Sequence, residues 1–379
     1  MILHVVRYWP TLSETFVRDE IADLPSDLGE PVEVLGLGTR GDAHAPEDPV
    51  GVRVHRRPHG AGWLGASATC LDGAARLAAA VARGALRGGA PPRPKPDRID
   101  AWMASHVARA RHVHVHFAGE AAARVRRVAG ALGVPWSVTV HAVDLYRPRP
   151  DLAELLQDAV AVRTISHANA HVLATRFGVR ATVLRCGVEV PDRPSETPVE
   201  DGHDVLFVGR AVPKKGLAAL REAAARLDPA VRVGIVGDTA PGPGSGARWE
   251  ALGPRPHAET LARIAAARVV CLPCTVSDDG DRDGVPIVLL EALARGVPVV
   301  TTDLPGLDEL VDASVGWVVP RDAPEALADA LREALSDPAE ARARGARGPA
   351  RLHARGFDRA TRRASLRAWF ALDAAPRPR

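Results

Sequence analysis

Residues 283–303, DGVPIVLLEALARGVPVVTTD, carry the densest chemistry in this 379-residue chain. A tight turn at Gly284 and Val285 leads into a helix that starts at Pro286, and a buried strand follows. The first turn of a helix leaves backbone N–H groups without intrahelical partners, and an anion is welcome there. Only Gly284 and Val285 can donate N–H; Pro286 cannot. Glu291 lies inside the helix, eight residues after Asp283. Upstream, residues 205–216 read VLFVGRAVPKKG, a strand running into a turn with Gly209, Arg210 and Lys215. Arg offers a fork to two phosphate oxygens and Lys a compact charge. Two cations beside a helix N-terminus suit a diphosphate, and a nearby carboxylate suits the two hydroxyls of a ribose. The combination points to a sugar nucleotide. It is not a Walker loop, because no Gly-Lys-Ser/Thr follows.

These residues need a frame that brings two distant segments together. Strand-like runs alternate with helical ones, which argues for parallel α/β architecture. Strands are expected at 2–6, 32–37, 112–117, 137–141, 160–165 and 182–185, then at 204–208, 231–236, 269–272, 298–302 and 316–319. Ala-rich helices lie between, such as 217–227 and 258–267. Two doubly wound units in tandem are expected, 1–190 and 204–355. The boundary falls in 189–204, which is polar and holds three prolines. Residues 83–98 read as a surface loop and 374–379 as a frayed tail.

The ordered set of segments resembles the retaining glycosyltransferases of the GT-B fold, specifically glycosyltransferase family 4. That family carries a VGR…KG segment and an E-x7-E segment before EA-(L/M)-A-x-G-x-PVV; here the first acid is Asp283. The segments YWPTLSETFVRDEIADL (8–24), HVHVHFA (112–118) and TVHAVDLY (139–146) resemble a branch that includes colanic-acid and other exopolysaccharide enzymes. The resemblance implies two Rossmann-like lobes facing a cleft, with helix 358–373 crossing back onto the first, anchored by Trp369 and Phe370. It implies transfer of a sugar from a nucleoside diphosphate such as UDP or GDP to a hydroxyl, without a metal or other cofactor. Arg210 and Lys215 would take the diphosphate charge, Glu291 the ribose, and Asp283 and His141 the sugar. Gly209, Gly284, Val285 and Pro286 would line the donor. His116 and Asp144 would face the acceptor, a glycan, lipid-linked or small molecule; Ser13, Glu14 and Thr15, where the family has a Gly-rich turn, offer side-chain polar groups to the acceptor or to the donor phosphates.

Several other motifs have ordinary readings. Thr11–Glu14 fits a capping box ahead of an amphipathic helix. His112, His114 and His116 share one face of a strand; packing and hydrogen bonding in the cleft are preferred over zinc, because no fourth ligand follows at metal spacing. Asp281-Arg282-Asp283 resembles a DxD metal motif but lies in a Gly-rich loop. Lys214 is expected to face solvent. Arg124, Arg126 and Arg127 read as a solvated helix face. Residues 242–246, GPGSG, lack the dinucleotide spacing.

Composition closes other doors. Hydrophobic content of 46% supports two cores, with aromatics at only 4%. A net charge of +3 is too small to argue for nucleic acid. Cys70, Cys186, Cys271 and Cys274 form no disulfide framework, and the single CxxC reads as structural. No secretory signal and no span of ~20 apolar residues is visible, so a cytoplasmic protein is expected; contact with the inner face of a membrane stays open. A phosphorylase, an NAD(P) oxidoreductase and a non-catalytic nucleotide-sugar binder are the rival classes.

Overall fold

The computed structural model describes residues 1–9, 15–38, 47–59, 62, 66–86, 96–147, 150–192, 202–238 and 246–372. The first lobe holds β1 (Ile2–Val6), α1 (Thr15–Leu28), β2 (Val32–Gly36), β3 (Arg53–Arg56), α2 (Ser67–Leu86), α3 (Arg98–Val107), β4 (His112–His116), α4 (Glu120–Leu132), β5 (Trp136–Val140), α5 (Ala142–Tyr146), α6 (Leu152–Leu156), β6 (Ala161–Thr164), α7 (His167–Phe177) and β7 (Thr182–Val183). The second holds β8 (Val205–Val208), α8 (Leu217–Ala224), β9 (Arg232–Val236), β10 (Arg248–Gly253), α9 (His257–Ala266), β11 (Val269–Leu272), α10 (Ile287–Ala294), β12 (Val299–Thr302), β13 (Gly316–Val319), α11 (Pro324–Ser336), α12 (Pro338–Ala346) and α13 (Gly348–Arg355). α14 (Arg359–Leu372) ends the described chain.

All strand pairs are parallel. The first sheet runs β3-β2-β1-β4-β5-β6-β7 and the second β10-β9-β8-β11-β12-β13. The fold is two Rossmann-like units, as expected. Central strands such as β11 are buried on both faces, which is why they read as apolar runs; in β1 the buried His4 interrupts the run. Two strands were not expected, β3 and β10. Both are edge strands with exposed polar residues, so neither carries an apolar signal.

α14 packs on the first lobe. Leu366, Trp369 and Phe370 join a cluster with Ile2, Val6, Ile21, Leu24 and Val34. Its start is tied down by Asp23 of α1, which is 3% exposed and bonded by Arg359 and Arg362, each at 2.5 Å. Arg362 is also 3% exposed and donates to the Gly187 carbonyl at 3.1 Å.

The arginines of α4 differ from expectation. The Asp97 cap of α3 leaves Asp100 fully buried, and Arg124 and Arg127 both donate to it at 2.9 Å. A buried carboxylate needs a counter-charge, so these two arginines face the protein and not solvent. Arg126 pairs with Asp158 and Glu154. Among the described residues no helix is long and apolar enough to cross a membrane.

Removing one partner of a buried ion pair costs more than removing both. Asp23→Ala should therefore lower unfolding free energy by about 3–5 kcal/mol, by leaving Arg362 without its counter-charge. Asp23→Leu combined with Arg362→Met should recover most of that loss. Urea denaturation of the three proteins checks the order.

Candidate functional site

The turn after β8 is shaped by one glycine. Residues Pro213–Lys215 form a 3-10 turn that ends at Gly216, φ +71°. A Cβ on Gly216 would sit 1.7 Å from the Pro273 carbonyl oxygen. Only glycine lets the turn press on the 273–275 segment, where Thr275 N–H bonds the Lys214 carbonyl at 2.9 Å. Both lysines are thereby aimed at the loop before α10.

There they meet two acids. Lys215 Nζ lies 2.7 Å from Asp283 Oδ2. Lys214 Nζ lies 3.1 Å from Asp281 and 3.5 Å from Asp283. The Cys274 thiol donates to Asp283 Oδ2 at 3.6 Å. Burial alone would raise the Asp283 carboxyl, but Lys215 and then Lys214 outweigh it and hold it below the usual range. Burial would likewise lower Lys215, and Asp283 outweighs it, so the ammonium is held above its ordinary value. Lys214 is only 12% exposed, a correction to its expected solvent-facing position: Asp281 and Asp283 draw it inward. The two acids of the DxD-like segment are each engaged by a lysine.

Arg210 is exposed and has no hydrogen-bond or ion-pair partner among the described residues, yet its charge is felt at Lys215. The site thus gathers three cations against two carboxylates. Opposite them, α10 begins at Ile287 behind its N-cap Pro286, with no side chain capping its free N–H groups. Val285 is buried and Gly284 half-way across to the other lobe: a Cβ there would lie 3.4–3.6 Å from Ile165, Ala142 and Asn169. Gly209, at the strand end, packs beside Phe207 and the Lys215 stem.

The lobes touch around this loop. Arg147 bonds Asp279 at 2.9 Å and reaches Asp281 at 3.6 Å. Arg282 lies over the Tyr146 ring at 3.6 Å. Gly280, φ +80°, approaches the Tyr146 carbonyl so closely that a Cβ would sit 2.5 Å from it. Glu309 accepts from Ala168 N–H at 3.0 Å and pairs with Arg185 at 2.7 Å. Arg147, Tyr146 and Glu309 were missed by sequence reasoning, because no local pattern marks a cross-lobe contact.

On the first lobe, His141 caps α5, and Asp144 accepts from the His141 N–H at 2.9 Å. Burial, and then Arg163, push the His141 imidazole down to about 3, so it is neutral. It packs on Phe117 at 4.2 Å and Phe16 at 5.3 Å, and its Nε2 has no bonded partner. Phe117 has φ 67°, a left-handed conformation that costs a bulky residue energy and marks the end of β4. Asp144 is spent on the cap. His116 is 1% exposed and faces Glu20 at 3.6 Å, beneath α1, not the cleft. His112 and His114 bond Ser137 and Thr139 under α14, also away from the cleft. Of the α1 candidates, Ser13 and Glu14 lie outside the described residues, and Thr15 is the half-buried first residue of α1.

Glu291 is buried in α10, and its Oε1 lies 2.5 Å from His257 Nε2 at the start of α9. Among the described residues two groups bring metal-ligating atoms within 4.8 Å of one another: His4, Glu20 and His116, and Glu33, His55 and His106. In each, arginine already holds the carboxylate: Arg163 on Glu20, and Arg53 and Arg109 on Glu33. That positive charge opposes a second cation.

Residues 191–351 match the family described as glycosyl transferases group 1. The chain is 30% identical over 378 residues to the putative colanic acid biosynthesis glycosyltransferase WcaL of Escherichia coli, covering 85% of this chain and 87% of that protein. The Salmonella typhimurium WcaL is 29% identical, covering 86% and 88%. Among solved structures, Anabaena HepE in complex with UDP and glucose superposes with a TM-score of 0.72 at 16% identity, covering 98% of this chain and 100% of that one. Sucrose-phosphate synthase from Thermosynechococcus elongatus gives 0.72 at 18%, covering 98% of both.

Asp283 has a depressed folded pKa, so its contribution is full above its ordinary value of 3.8 and is lost as pH falls through the lower folded value. Asp283→Asn should cost about 3 kcal/mol at pH 7. The gap between wild type and variant should narrow as pH drops below 3.8. Urea midpoints for both proteins from pH 3 to pH 7 check this; a gap that ignores pH would place the cost elsewhere.

Proposed function

This chain belongs to the group 1 glycosyltransferases, and on that premise we propose that it moves a sugar from a nucleoside diphosphate to a hydroxyl acceptor with retention of anomeric configuration. The observation that carries the reading is the convergence of Lys214 and Lys215 on the loop that opens α10, with Arg210 near enough for its charge to act on Lys215. As the bond from the sugar C1 to the phosphate oxygen breaks, negative charge grows on the diphosphate. Fixed cations and helix N–H groups aimed at that charge stabilise the transition state. The acceptor oxygen bonds C1 on the same face, and its proton passes to the leaving phosphate oxygen.

In this reading residues 204–355 hold the donor and residues 1–190 most of the acceptor. The diphosphate draws Lys215 toward itself, which frees Asp283 for the sugar hydroxyls. Glu291 holds the ribose. The neutral His141 lies against the same loop through Ala142, near Gly284. Closure of the lobes, through the Arg147 and Glu309 contacts, excludes water and limits hydrolysis. The WcaL relatives support an acceptor in exopolysaccharide assembly.

Thermal shift against UDP-, GDP-, ADP- and dTDP-sugars should single out one base, the shift following RT ln(1 + [L]/Kd). With that donor, Lys215→Ala and Arg210→Ala should each lower kcat by about 10²–10³-fold. Transfer left untouched in Lys215→Ala would overturn the mechanism.

A further inference from the structure

Glu291 is 7% exposed, and a carboxylate so buried requires a defined partner. His257 supplies it. The His257 Nε2 lies 2.5 Å from Oε1, while its ring stays partly open to solvent, 42% exposed. No described residue bonds the second oxygen, Oε2, and it is not among the occluded polar atoms. The carboxylate is therefore held by one oxygen and presents the other.

The surroundings favour a charged clasp. The hydrogen bond to Glu291 raises the His257 imidazole above its ordinary value, against burial, with help from Asp19 on α1. Arg295, one turn along α10, opposes it and donates to the Glu291 carbonyl at 3.1 Å. Glu291, Asp19 and Arg295 are the charged groups acting on the ring. A donor on one oxygen fixes the rotamer of a side chain that otherwise has three torsions to choose from. A carboxylate has about four lone-pair positions, so the fixed oxygen and its neighbour still accept from a diol.

We propose that His257 is a positioning residue for the nucleotide's ribose: it pins one oxygen of Glu291 so that the carboxylate meets the 2′- and 3′-hydroxyls, and it thereby sets the preference for ribo- over 2′-deoxyribonucleotides. The proposal rests on the donor reading above, in which Glu291 faces the ribose. A hydrogen bond to a charged acceptor is strong only when the acceptor is already oriented, and losing one costs roughly tenfold or more in affinity.

The test is titration calorimetry with UDP against 2′-deoxy-UDP and GDP against 2′-deoxy-GDP. Wild type should bind the ribonucleotide of one pair about tenfold or more tighter than its deoxy partner. His257→Ala should weaken the ribonucleotide and leave the deoxy form almost unchanged, bringing the ratio close to one. His257→Gln keeps a donor and should restore most of the preference. Equal weakening of both forms in His257→Ala, or an unchanged ratio, would show a merely structural role and overturn the proposal. Tight wild-type binding without ribose preference would overturn it while leaving the donor reading intact. Binding of none of the four nucleotides, nor of ADP or dTDP, would overturn both.

Discussion

A lysine–aspartate pair, largely withdrawn from solvent, organises the centre of this protein. Two charges removed from water are tolerated only when each answers the other, so Lys215 and Asp283 fix the distance between the β8 turn and the loop before α10. Lys214 and Asp281 repeat the pairing, one residue before Lys215 and two before Asp283. The pair also leaves a surplus of positive charge, because Arg210 has no described carboxylate to answer it. A site with ordered cations in excess is ready for an anionic ligand before that ligand arrives, which is what electrostatic preorganisation requires. The same loop passes the constraint to the first lobe through Arg147 and the Arg282–Tyr146 stack.

The first lobe is built on a different compromise. Beneath α1 and α14 lies a polar layer of His4, His112, His114, His116, Arg163 and Glu20. Burial keeps the histidines neutral, helped by the Arg163 guanidinium at His114 and His116 and by Arg111 at His112. Ser137 and Thr139 satisfy part of the layer, and Trp369 and Phe370 cover it from outside. Arg163 itself lies over Trp369 at 5.1 Å. A layer like this is stable only while covered, so the final helix belongs energetically to the first lobe although the chain reaches it last.

Much of this was legible in the sequence. Central strands announce themselves because both of their faces are buried, and the Gly216 turn is marked because glycine takes a positive φ without steric cost. The edge strands β3 and β10 were invisible for the opposite reason: half solvated, they are spelled in Arg, His and Glu. Lys214 was misread because a lysine in a loop is usually solvated, and its two acid partners stand more than sixty residues away in sequence. Arg124 and Arg127 were misread likewise, since the buried Asp100 that holds them lies on another helix.

By itself the sequence determined the alternation of strand and helix, the ordered motifs at 205–216 and 283–303, and the residue types able to meet a diphosphate. Those properties are local: periodicity, turn chemistry and spacing are written within a few residues of each other. Tertiary structure decided the partners. That Asp283 meets Lys215, that Glu291 meets His257 and that His116 turns from the cleft to Glu20 depend on how strands β4, β8 and β11 stack and on where α1 and α9 settle. Charge pairing acts through space and not along the chain, so only the folded arrangement could choose among the many acids and bases the sequence offers.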